Sequence, residues 1–245
     1  MTSDAKAAET FYAKVVGWKA KLFEGQSDMP PYTVLSAGER GVGGIMAMPD
    51  EYRKGGGHPA WVGYVHVADT DAAADALKKA GGTVHRSPSD IPDVGRFAVV
   101  ADPQGAIFNI LHPNGPDQPP VPAGTLGHIG WHELYTSDWK KALDFYSAQF
   151  GWKKTREFDM GEMGIYALFN MGGDEAGGMM NKPPQMPSSA WQFYFNVEGI
   201  DAAAKRVTDS GGKVLMGPME VPGGQWIAQC QDPQGAHFAL VAPGH

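Results

Sequence analysis

The chain has 245 residues, 42% of them hydrophobic, with a formal net charge of −7. That is enough apolar material to close a core, which excludes wholesale disorder, and an acidic balance lacks the basic footprint of a nucleic-acid binder. No apolar run approaches the roughly 20 residues that span a bilayer, the N-terminal stretch has no signal-peptide character, and the single cysteine, Cys230, forbids an intrachain disulfide. The expectation is a cytoplasmic protein with no membrane or nucleic-acid partner. The 33 Gly and 19 Pro predict short elements joined by many turns.

Taken in chain order, MTSDAKAAETFYAKVVGW predicts a helix that opens at Asp4 and closes at Gly17. YVHVAD reads as a short strand, DAAADALKKAGG as a second helix and DPQG as a turn. The stretch HPNGPDQPPVPAGTL is Pro-rich and aperiodic, a semi-rigid linker. HIGWHELYT then alternates as a strand, with Ile129, Trp131, Glu133 and Tyr135 on one face. A helix follows, capped by Ser137 or Asp138, with the apolar stripe Trp139, Ala142, Leu143, Tyr146 and Phe150. Strands are predicted near KTREFD, IYALFN, GGMM and WQFYFNV. A helix opened by Asp201 and closed by Gly211-Gly212 comes next, then strands KVLMGPMEV, QWIAQCQD and AHFALVA.

The chain repeats itself. Asp4, Phe11-Tyr12, Gly17-Trp18, Tyr32 and Gly43-Gly44 recur 134 residues later as Asp138, Phe145-Tyr146, Gly151-Trp152, Tyr166 and Gly177-Gly178. Trp61, Asp71, Gly81-Gly82 and DPQG at 102–105 recur 130 residues later. Colinear matches over the whole length mean duplication. The expected fold class is α+β, with tandem βαβββ modules, two per half, each half a cupped mixed sheet around a cleft. The expected domains are 1–113 and 126–245, joined by the linker 114–125. Shifting the strand at 128–136 back by 134 runs it off the start of the chain. The leading strand of the first module is therefore expected to be missing, its edge filled by another segment, for instance from a second copy in a homodimer, or left open.

The paired modules, the FY…GW helix end, the DAAADALKKAGG and DAAAKRVTDSGG helices and the repeated DPQGA turn resemble the vicinal-oxygen-chelate superfamily of glyoxalase I, bleomycin resistance proteins and extradiol dioxygenases, in its two-domain glyoxalase-like form. The resemblance covers nearly the whole chain. It leaves the activity, and whether this chain is an enzyme at all, open, because the fold hosts lyases, dioxygenases, transferases and drug-binders. In metal-using members it implies a divalent ion held by His and Glu from leading and later strands. Aligned on the following helix, the leading-strand ligand position falls on Val62, Trp131 and Gln192. The final-strand carboxylate, seven residues after the Asp of the turn, falls on Asn109 and Ala239. Those residue types are poor ligands, so no metal and no cofactor is expected.

The expected function is therefore binding of a small organic, aromatic molecule in a cleft. Trp131, Tyr135, Tyr194 and Trp226 are read as an aromatic wall or as ordinary core packing, with Tyr64, His66, Asn196 and Asn109 as further contacts. Glu133, between Trp131 and Tyr135, is read either as a general base with a raised pKa or as a carboxylate that holds the sheet together. The alternative is a Zn, Ni or Fe enzyme of lyase or dioxygenase type that uses Glu133 and His66. Cys230 is expected to be buried and inert. The methionines of the second half are read as gap-fillers or as a pocket lining.

Overall fold

The computed structural model describes residues 1–23, 30–116 and 118–245. Four modules follow one another along the chain. The first holds α1 (Ala5–Val15), β1 (Lys19–Leu22), β2 (Tyr32–Ala37) and β3 (Arg40–Met46), followed by the short α2 (Asp50–Lys54). The second holds β4 (Tyr64–His66), α3 (Thr70–Lys79), β5 (Thr83–Ile91), β6 (Gly95–Ala101) and β7 (Ile107–Pro113). The third holds β8 (Ile129–Thr136), α4 (Trp139–Phe150), β9 (Lys153–Asp159), β10 (Ile165–Asn170) and β11 (Glu175–Asn181). The fourth holds β12 (Ala190–Asn196), α5 (Ile200–Asp209), β13 (Lys213–Glu220), β14 (Trp226–Gln231) and β15 (His237–Ala242). The fold is α+β, built of tandem βαβββ modules.

Two helices begin where the sequence predicts, at Asp4 and Asp138, and α3 begins ahead of the DAAADALKKAGG run, with Asp69 as its cap. Asp4, Asp69 and Asp138 sit at the N-caps in extended backbone, and their carboxylates accept from the free amides of the first turn. The fourth differs. Asp201 lies inside the first turn of α5, and Gly199 is the cap without a side-chain bond. Asp201 instead meets the terminal residue's His245 ring, at 2.9 Å.

In each complete module the leading and last strands pair in parallel. Tyr64 lies opposite Asn109, Glu133 opposite Gly178, and Tyr194 opposite Ala239. The first module keeps one step of this pattern. Thr2 bridges Ala47 in parallel, with Thr2 N donating to the Met46 carbonyl (3.0 Å) and Met48 N to the Thr2 carbonyl (2.9 Å). Thr2 stands 134 residues before Thr136, whose partner is Asn181, the counterpart of Ala47. The leading strand is thus reduced to its last pair, held in the register of its complete counterpart.

The contacts gather into two compact units. One comprises 1–61, 121–130 and 193–245; the other comprises 62–120 and 131–192. Each unit takes one module from each half. Buried hydrogen bonds give the physical reason. In the first unit Tyr12 donates to Asp232 (2.9 Å) and receives Trp61 Nε1–H (2.8 Å), while the second oxygen of Asp232 accepts from the amides of Gln234 and Ala236. In the second unit Tyr146 donates to Asp102 (3.1 Å) and receives Trp191 Nε1–H (3.0 Å), and Asp102 accepts from Gln104 and Ala106. The repeated FY, Trp and DPQG motifs are the three members of these relays. Tyr from one half and Asp from the other must meet, since an unpartnered buried carboxylate or phenol costs about 1–3 kcal/mol or more.

In the second unit one continuous apolar core runs beneath both sheets. It joins Ala98, Val100, Phe108 and Ile110 to Leu134, Ala167, Phe169 and Met179, together with the inner faces of α3 and α4. Trp152 stacks between Tyr146 and Phe169, each ring centroid 5.0 Å away. Because all these residues point to the helices, their strand neighbours of opposite parity point to the side that carries no helix.

Candidate binding site on the helix-free face

The helix-free face of β8 presents Trp131, Glu133 and Tyr135, as the alternation of HIGWHELYT predicts; Leu134 between them is fully buried in the core. His132 turns the other way, its Nδ1 2.8 Å from the Ala176 carbonyl, and burial holds its pKa below the ordinary imidazole value.

Glu133 is 7% exposed although it lies on the open face. Trp131 Nε1–H donates to the Tyr166 hydroxyl (2.7 Å), and Tyr166 O–H donates to Glu133 Oε2 (2.9 Å). Burial, and then the Glu133 charge, push the Tyr166 phenol far above its ordinary range, so it stays a donor. Tyr166 reaches Glu133 because its ring lies across Gly178 on the next strand, where any Cβ would collide with the ring. Tyr166 was not among the residues predicted for the site. Its signal was present, since Tyr32 with Gly43-Gly44 and Tyr166 with Gly177-Gly178 recur together, and Tyr32 lies over Gly44 in the same way.

From the other half of the sequence, β4 and β7 bring Tyr64, His66 and Asn109 to the helix-free face of their own sheet in the same unit. Asn109 is 7% exposed and stands opposite Tyr64 on the paired strand. Burial raises the Tyr64 pKa, against the pull of the Asn109 amide and of the Arg86 charge. His66 is exposed, two residues beyond Tyr64 on the same strand face.

The predicted aromatic wall divides between the units. Trp131 and Tyr135 belong to the second unit, Tyr194 and Trp226 to the first. Tyr194 is buried and its hydroxyl receives Gln229 Nε2–H (3.0 Å); Trp226 packs on the His245 ring, centroids 3.8 Å apart. Asn196 donates to the Thr125 carbonyl (3.1 Å), with its amide against Gly130. Cys230 is fully buried, and burial pushes its thiol up to about 12. The methionines also divide: Met179 is in the core, Met180 lies opposite Tyr135, and Met163 and Met171 are exposed.

The expected leading-strand and last-strand positions do not stand side by side in the strand register. The leading-strand positions opposite Asn109, Gly178 and Ala239 are Tyr64, Glu133 and Tyr194, rather than Val62, Trp131 and Gln192. The second unit then offers a phenol, an amide, one carboxylate and a glycine. No group of three or more His, Cys, Asp or Glu side chains converges anywhere among the described residues. These residues do not fit a divalent ion that needs several anionic or imidazole ligands at one point.

Comparison with known proteins agrees with this architecture. The family described as Glyoxalase/Bleomycin resistance protein/Dioxygenase superfamily matches residues 1–110 and 125–240, so the chain belongs to that superfamily and carries its domain twice. CFP32 of Mycobacterium tuberculosis (strain CDC 1551 / Oshkosh), which carries a glyoxylase name, is 32% identical over 99% of this chain and 92% of its own. The anthracycline biosynthesis protein DauV of Streptomyces sp. (strain C5) is 31% identical over 97% of this chain and 89% of its own. The crystal structure of the Mn(II)-bound glyoxalase from Novosphingobium aromaticivorans superposes with a TM-score of 0.63 at 16% identity, over 99% of this chain and 79% of that one, a likeness of fold. No helix among the described residues is long and apolar enough to cross a membrane.

Proposed function

We propose that the helix-free face of the second unit binds a flat, ring-bearing organic molecule without the superfamily's full metal set. The observation that carries this reading is the Trp131–Tyr166–Glu133 relay. It holds a nearly buried carboxylate on the open side of a sheet, beside the half-buried rings of Trp131 and Tyr135. A core gains nothing from a carboxylate there, whereas a ligand hydroxyl or an acidic C–H finds an acceptor and potential general base with aromatic surface around it. Tyr64, His66 and Asn109 line the helix-free face of the other sheet, across the shared core from Glu133, and any ligand they touch occupies a separate site. Tyr194 and Asn196 on β12 and Trp226 on β14 are proposed as further ligand contacts. The relationship to an anthracycline biosynthesis protein supports a fused-ring ligand. We also keep as proposals a cytoplasmic location, the sequence halves 1–113 and 126–245 as the domains of descent, and a homodimer through the outer edge of β3.

Titration with quinone-like and naphthalene-type compounds tests the binding reading by tryptophan fluorescence. Saturable quenching that is lost in Trp131→Phe is expected; no quenching across such a panel overturns it. The metal-dependent alternative would use Glu133 and His66. One tightly held Zn²⁺, Ni²⁺ or Fe²⁺ per purified chain, lost in Glu133→Ala, would establish it instead.

A further inference from the structure

The strand register orders the helix-free face of β4–β7 into two rows. Tyr64 lies opposite Asn109, Asn109 opposite Val99, and Val99 opposite Arg86. In the next row His66 lies opposite Leu111, Leu111 opposite Phe97, and Phe97 opposite Ser89. These residues alternate with Ala98, Val100, Phe108 and Ile110 of the core, so both rows point away from the helices. Three groups on this face lack what their chemistry asks for. Asn109 Oδ1 and Ser89 Oγ are buried without a hydrogen-bond partner, and native proteins leave few such atoms. The Arg86 guanidinium lies 4.8 Å from the centroid of the Phe97 ring and forms no ion pair among the described residues. Between them Val99 and Leu111 make a half-buried apolar floor.

We propose that this face is a second binding site, independent of the Glu133 face, for a flat ring acid whose carboxylate and hydroxyl stand at opposite ends. The carboxylate pairs with Arg86, which Phe97 holds over the floor, and accepts from the Ser89 hydroxyl. The ring lies on Val99 and Leu111, and its hydroxyl donates to Asn109 Oδ1. Tyr64, opposite Asn109 and 47% exposed, is the neighbour whose rotation admits that hydroxyl. The strands of Arg86 and Asn109 are two spacings, about 10 Å, apart. A compound with both groups on adjacent carbons therefore cannot meet both ends. A hydrocarbon leaves the Asn109 carbonyl unpaired, and a metal ion would meet one neutral amide oxygen beside the Arg86 charge.

Equilibrium dialysis with 6-hydroxy-2-naphthoate, its 6-methoxy ether, its methyl ester and the adjacent isomer 3-hydroxy-2-naphthoate tests it. The 6-hydroxy acid should bind about tenfold or more tighter than each of the others, a discrimination set by leaving one polar partner unpaired. Asn109→Leu should abolish the preference over the ether, and Arg86→Ala, at an exposed position, the preference over the ester. Hydrogen exchange places the ligand: saturating 6-hydroxy acid should slow amides of β5 to β7, and Arg86→Ala should remove that protection. If the four compounds bind alike, or the preferences survive both substitutions, the site is overturned. Quenching of Trp131 without protection in β5 to β7 also overturns it and leaves the Glu133 site standing. Protection in β5 to β7 without quenching supports this site and overturns the other.

Discussion

The two units share a skeleton and differ on the face that skeleton presents. Each has a buried Tyr–Asp pair capped by a Trp indole: Tyr12, Asp232 and Trp61 in the first, Tyr146, Asp102 and Trp191 in the second. Each has a tyrosine ring laid across a strand glycine, Tyr32 over Gly44 and Tyr166 over Gly178. On the open face the likeness stops. Where the second unit has Glu133, the first has no counterpart within this chain, and where the second has Asn109 the first has Ala239. The fourth module's tyrosine is buried and tied to Gln229, whereas its second-module counterpart Tyr64 is 47% exposed. Buried relays change little between repeats because any single change strands a partner without water, while open faces carry no such penalty and are free to diverge.

The largest effect should come from the shared skeleton. Asp102→Ala and Asp232→Ala each leave two turn amides and a buried phenol unpartnered, and each should cost about 3 kcal/mol or more in chemical denaturation. Similar losses in both units sharpen the comparison, whereas a negligible loss in one would show that its relay does not hold the modules together. Tyr12→Phe and Tyr146→Phe should cost about 1–2 kcal/mol each by the same measurement.

Next comes the divergent face. Glu133→Gln keeps the size but loses the charge that Tyr166 and a ligand hydroxyl address, so affinity for a naphthalene-type ligand should fall about tenfold, or 1.4 kcal/mol. An unchanged affinity would mean that Glu133 serves the fold and not a ligand.

The pH response should differ too. His132 is buried on β8 with its pKa lowered, and the first unit has no counterpart within this chain. The unfolded chain therefore binds the proton first, and stability falls as pH drops below about 6.5 toward the depressed folded value. Asp102 acts with opposite sign. Burial raises its folded pKa, so its contribution is full below about pH 3.9 and is lost as pH rises through the raised value. Hydrogen exchange at pH 7 and pH 5 should show amides of β8 and β11 losing protection on acidification, and His132→Leu should flatten that response. The smallest effect belongs to Cys230, fully buried in the first unit with its thiol at about 12. Thiol reagents at pH 8 should not label it until the protein unfolds.

Much of this was readable before the fold. The duplication, the helix caps at Asp4 and Asp138, the parity of Trp131, Glu133 and Tyr135, and the inert Cys230 all follow from local chemistry: a cap needs only its own first turn, and a strand's alternation needs only its own residues. What pairs with what was not readable. The motifs Phe11-Tyr12 and DPQG announced themselves as repeats, yet nothing in their spacing says that Tyr12 meets Asp232 rather than Asp102, because either choice satisfies the same local pattern. That pairing brought the sheet of Asn109 into the unit of Glu133. Tyr166 joined the site only because a neighbouring strand placed Gly178 beneath its ring. The sequence determined which groups are buried, capped or exposed, since these depend on neighbours along the chain. Only the tertiary structure decided which groups share a face, since that depends on which module meets which.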